Sequence, residues 1–99
     1  MLAAFSIAPS GGGESVGDDV AEAIRIVRES GLPSETNAMF TNVEGSWEQI
    51  SALIGRCIAA MEARGAARVS VVMKLDHRPG HEGMLETKVE SVERRLTGS

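Results

Sequence analysis

Asn37-Ala38-Met39-Phe40-Thr41-Asn42-Val43-Glu44-Gly45-Ser46-Trp47 carries the chain out of a short strand pair and, with no linker, into its longest helical pattern. The end of the stretch continues as Ser46-Trp47-Glu48-Gln49, a capping box in which the Ser46 hydroxyl accepts from the amide three residues on and Gln49 reaches back. Upstream, Ser34 to Ala38 and Thr41 to Gly45 are too short for helices and flank a tight connection, so they read as a hairpin. Downstream, Trp47, Ile50, Leu53 or Ile54, Cys57 or Ile58 and Met61 recur at helical spacing as far as Gly65. Thr41 and Glu44 are therefore expected on strand backbone just ahead of the positive end of this second helix, where a ligand can be held.

Working outward, Leu2 to Ala8 is a continuous apolar run closed by Pro9 and by Gly11, Gly12 and Gly13, the pattern of a strand buried on both faces. Its alternating sets are Ala3, Phe5, Ile7 and Leu2, Ala4, Ser6, Ala8. Neither set is polar, so one face is expected to need a cover beyond the chain's own helices. Ser15-Val16-Gly17-Asp18 is an acidic capping box, and Val16, Val20, Ile24 and Val27 then predict a first helix over about Val16 to Ser30, stopped by Gly31 and Pro33. Arg68 to Asp76 alternates as a last strand. The order βαββαβ, with short connections and right-handed crossovers, points to an α+β ferredoxin-like sandwich of one antiparallel sheet with both helices on one face. After the turn-rich His77-Arg78-Pro79-Gly80-His81, the residues Leu85, Val89, Val92 and Leu96 predict an extra amphipathic C-terminal helix, packed on the sheet margin or on another subunit.

A length of 99 residues fits one domain, 1–99, whose modest core a tight oligomer would help. The net charge of -4, with the ten basic residues scattered, argues against nucleic acid and anionic membrane as partners. Cys57 is the only cysteine, placed among Leu53, Ile54, Ile58 and Met61 as a small buried hydrophobe. With no internal disulfide, no basic leader and no membrane span, the expectation is a cytoplasmic protein. Asp76, His77 and His81 make a weak metal set, and the glycines 11–13 lack the Lys or further glycine of a phosphate-binding loop, so neither metal nor cofactor is expected and the glycines read as a mobile lip. No serine has a placed base and a lone buried thiol is no nucleophile, so the chain does not read as an enzyme.

Four stretches together resemble the YkoF-like thiamine-binding protein family: Ala4-Phe5-Ser6-Ile7-Ala8-Pro9, Met39-Phe40-Thr41-Asn42-Val43-Glu44-Gly45, Lys74-Leu75-Asp76-His77-Arg78 and Lys88-Val89-Glu90-Ser91-Val92. The Thr-x-x-Glu-Gly before the second helix and the Lys-x-Asp-x-Arg ending the last strand are the most telling. The chain departs from the family at Phe40, where a small residue is common, and in its longer Pro79–Gly83 loop. The resemblance implies a non-enzymatic binder of thiamine or its hydroxymethylpyrimidine moiety, assembled as a dimer of dimers.

A binder of that ligand needs a carboxylate for the thiazolium, hydroxyls or amides for the aminopyrimidine edge, and an apolar surface for the ring. Ser6, Asn37, Thr41 and Glu44, with Met39, Phe40 and Trp47 beside them, supply that set, Trp47 doubling as a hydrophobic anchor for its helix. Gly45 is expected to leave room for close approach behind Glu44, and Lys74 and Arg78 to pair with acids such as Glu44 or Glu86 across an interface. The alternative of a different class is a regulatory assembly domain, in which a small metabolite held between paired sheets shifts subunit packing.

Overall fold

The structure, a computed structural model, describes residues 1–11 and 16–97. The elements run β1 (Leu2–Ser10), α1 (Val16–Glu29), β2 (Ser34–Thr36), β3 (Thr41–Glu44), α2 (Trp47–Ala63), β4 (Arg68–Asp76) and α3 (Met84–Leu96). One four-stranded sheet has the order β2-β3-β1-β4 with every neighbouring pair antiparallel. This is the α+β ferredoxin-like arrangement expected from the pattern, with the third helix appended. The expected capping box at Ser15 and the glycines Gly12 and Gly13 lie outside the described residues.

The core is one layer between sheet and helices. Ala3, Phe5 and Val43 face Ala23, Ile26 and Val27 of α1 and Ile50, Leu53, Ile54, Cys57 and Met61 of α2. The capping box at the start of α2 is formed: Gln49 N–H donates to Ser46 Oγ at 3.1 Å and Ser46 N–H to Gln49 Oε1 at 2.9 Å. Within this chain the first strand is buried on its Ala3–Phe5 face, while on the other face Leu2, Ala4 and Ser6 are half-buried and Ala8 is exposed, because both crossover helices lie on one side. One expectation changes. The stripe of α1 is rotated: Ala23, Ile26 and Val27 are buried, whereas Val20 is exposed and Ile24 half-buried. A polar tie accounts for the rotation. Asp19 turns inward and accepts from Arg64 Nε at 2.5 Å, locking the first turn of α1 to the end of α2.

Helix α3 starts at Gly83, which has φ of 70° and no side chain with which to cap it. Glu44 of β3 does this instead, its Oε2 accepting from Met84 N–H at 2.9 Å and its Oε1 from Leu85 N–H at 3.3 Å. Lys88 then pairs with Asp76. Glu44 and Asp76 both stand opposite Leu2, so α3 is moored to one end of the open sheet face. Past that mooring Val89, Val92 and Leu96 are exposed, Leu96 to 75%. The positive helix end that Glu44 serves is thus that of α3 and not that of α2, whose first amides Ser46 and Gln49 already occupy.

Candidate functional site

Strand β3 has a concave region at each end. At the Glu44 end a wide cleft of about 1230 Å³ opens between β2, the start of α2 and the loop leading into α3. Its polar lining includes Glu35, Glu44, Glu86 and Glu90 against His77, Arg78 and His81. Glu44 is buried there with both oxygens on α3 amides, and a Cβ on Gly45 would stand 2.9 Å from Gln49 Oε1 and 3.3 Å from Leu32 Cδ2. The room expected behind Glu44 is therefore filled by the chain itself.

At the Thr41 end is a smaller notch, and the register creates it. β3 stops where Thr41 stands opposite Phe5, but β1 runs on to Ser10 against β4 alone. The exposed edge of β1, the tip of the β2–β3 hairpin and the flank of α1 enclose about 150 Å³. Phe5, Ile7, Val20, Ala23, Ile24 and Val27 form the apolar wall, and Ser6, Thr36, Asn37 and Thr41 the polar rim. Thr36 Oγ1 and Thr41 Oγ1 lie 3.5 Å apart across the hairpin. Among the described residues no ionisable side chain lines the notch.

Asn37 shapes the hairpin tip. Its Oδ1 accepts from the amides of Met39 and Phe40, both at 2.9 Å, and its own N–H donates to Phe40 O at 2.9 Å. Among the described residues only glycines have positive φ, so the amide oxygen does here what a left-handed turn does in other tight hairpins.

Of the six expected ligand residues, the fold brings Ser6, Asn37 and Thr41 to the notch. Met39 stands 74% exposed on the hairpin tip, Glu44 lies at the other end of β3, and Trp47 is 46% exposed on the first turn of α2 rather than anchored in the core. Thr36, Val20 and Ile24 join the notch without having been singled out. The helical spacing of Val20 and Ile24 was visible, but it reads equally as core. Cys57 is buried with Sγ 3.9 Å from Ala23 O, and burial pushes its thiol pKa up, so it is a packing group. Among the described residues no three His, Cys, Asp or Glu side chains are grouped to hold a metal ion, and no helix is long and apolar enough to cross a membrane.

The family described as thiamine-binding protein matches residues 3–93. The chain belongs to that family. Thiamine-binding family membership extends to every element above, from β1 into α3. The chain is 52% identical over 97 residues to a UPF0045 protein of Mycobacterium bovis, covering 97% of this chain and 94% of the relative. Among solved structures it resembles a DUF77 domain from Bacillus cereus, with a TM-score of 0.82 and 30% identity over 89% of this chain and 85% of that one. A Thermotoga maritima protein named for thiamine biosynthesis or salvage shares the fold, with a TM-score of 0.79 at 21% identity over 92% and 96% of the two chains.

Proposed function

We propose that this chain binds the aminopyrimidine ring of thiamine, or free hydroxymethylpyrimidine, in the notch and acts without chemical turnover as a cytoplasmic carrier, buffer or sensor. The observation that carries the reading is the notch itself, an apolar slot with hydroxyl and amide groups confined to its rim. An apolar cavity of roughly 150 Å³ is large enough to take up one six-membered aromatic ring. A flat heterocycle with polar edges suits such a slot, and membership of a family named for thiamine binding says which heterocycle to test. Ser6, Asn37, Thr41 and Thr36 are the proposed partners of the ring's edge. Because no charged side chain among the described residues lines the notch, the cationic thiazolium extends outward past Met39, and Glu44 and Trp47 lie outside the ring site. No cofactor is required.

A second reading has its own observation. The apolar residues of α3 beyond its mooring, with Val72 on the open sheet face, are exposed. We propose that they are covered by further copies in a dimer of dimers, and an assembly domain whose ligand shifts subunit packing would show the same surfaces. Isothermal titration with thiamine, thiamine diphosphate and hydroxymethylpyrimidine separates the two. Binding of one or more of them, with the oligomer unchanged, is expected. Silence from all three favours the assembly reading.

A further inference from the structure

The ladder of β1 carries a recognition element that side chains do not supply. Gly45 N–H donates to Met1 O at 3.0 Å, and continuing the register by two makes Ala3 opposite Val43, and Phe5 opposite Thr41, the pairs that exchange hydrogen bonds. Odd-numbered residues of β1 thus aim their backbone N–H and C=O towards β3, and even-numbered ones towards β4. Ile7 is the next odd residue. β3 has ended, so its N–H and C=O point into the notch with no strand opposite them among the described residues. Pro9, two residues on, is still paired in register with Val69. A proline is accepted within a strand where its missing N–H would have met no neighbour, which is what this alternation requires of the β1 edge beyond Phe5. Unpaired main-chain groups beside an apolar slot are costly unless water or a ligand satisfies them.

We infer that the backbone N–H and C=O of Ile7 read the edge of the ring, the N–H donating to a ring nitrogen and the C=O accepting from the amino group beside it. In extended backbone these two groups of one residue project side by side, donor next to acceptor. The 4-aminopyrimidine edge presents the complement, acceptor next to donor, as a neighbouring strand would. The ligand completes the sheet at the position β3 leaves empty. Phe5 and Val20 bound its faces, and Thr41 stands at the end of the interrupted strand. The inference rests on the notch being the ring site, and it names the atoms that set specificity there.

The test follows amide resonances of the full chain during titration with hydroxymethylpyrimidine, alongside two variants. The expected result is a downfield shift and slowed exchange of the Ile7 amide proton. Ile7→Pro, or a backbone ester in place of the Ser6–Ile7 amide, should weaken binding by about tenfold. The ester keeps the Ile7 side chain and guards against a misfolded proline variant. If Asn37 and Thr41 resonances move while the Ile7 amide does not, and the ester binds as the parent does, the backbone inference is overturned and the notch reading stands. If no notch resonance moves, both fall together.

Discussion

Glu44 places both carboxylate oxygens on the first amides of α3, so its chemistry in the folded chain is that of a helix cap supplied from a distant strand. Glu44→Gln keeps an acceptor but loses the charge that favours a helix N-terminus, and it should cost about 1 kcal/mol. Hydrogen exchange at Met84 and Leu85 should quicken accordingly. Cys57→Ser tests a second buried side chain, the thiol in the core. A hydroxyl set among Ile54, Met61 and the α1 backbone should cost about 1 to 3 kcal/mol in denaturant unfolding while hydroxymethylpyrimidine affinity stays unchanged. What the sequence made legible at this scale was local. Ser46 and Gln49 lie three residues apart and cap each other, so their partnership is visible in the text. Glu44 and Met84 are joined only by the fold, and no spacing rule connects a strand carboxylate to amides on a later helix.

Among the elements, strands and helices followed their periodicities closely, β4 over Arg68–Asp76 and α2 over Trp47–Ala63. Which face each helix turns inward was less legible. The apolar spacing of α1 allows Val20 and Ile24 to be core, but it is Asp19, buried and held by the exposed Arg64, that takes the inward place while they turn towards the notch. The notch likewise depends on where β3 stops relative to β1, a register fact rather than a composition fact. The mooring of α3 carries a pH dependence. Lys88, hydrogen-bonded to Asp76, holds that carboxyl below the usual carboxylate range. A carboxyl whose pKa is depressed by folding stabilises above its unfolded value and loses that contribution as pH falls through its folded value. Protection of the α3 amides, taken relative to their intrinsic exchange at each pH, should therefore be flat near neutrality and fall below about pH 4, where an unfolded aspartate titrates. Lys88→Met should flatten that acid loss of protection, and an unchanged profile in this variant would assign the dependence to another carboxylate.

The molecule is elongated, 51 × 27 × 21 Å, with a radius of gyration of 15.2 Å, where a compact chain of this length has about 13 Å. Val89, Val92 and Leu96 of α3 are exposed and leave an apolar face that a lone chain does not cover. Light scattering at micromolar concentration should report the proposed tetramer, and Leu96→Glu should shift it to smaller species; a monomeric parent would refute the assembly. The two concavities at opposite ends of β3 are told apart by a single comparison, the calorimetric affinity of hydroxymethylpyrimidine for Thr41→Val and for Glu44→Gln. If the ring sits in the notch, Thr41→Val loses about three- to tenfold in affinity, the worth of one hydrogen bond, and Glu44→Gln binds as the parent does. Loss of binding in Glu44→Gln with full affinity in Thr41→Val would rule out the notch and move the site to the wide cleft under α3.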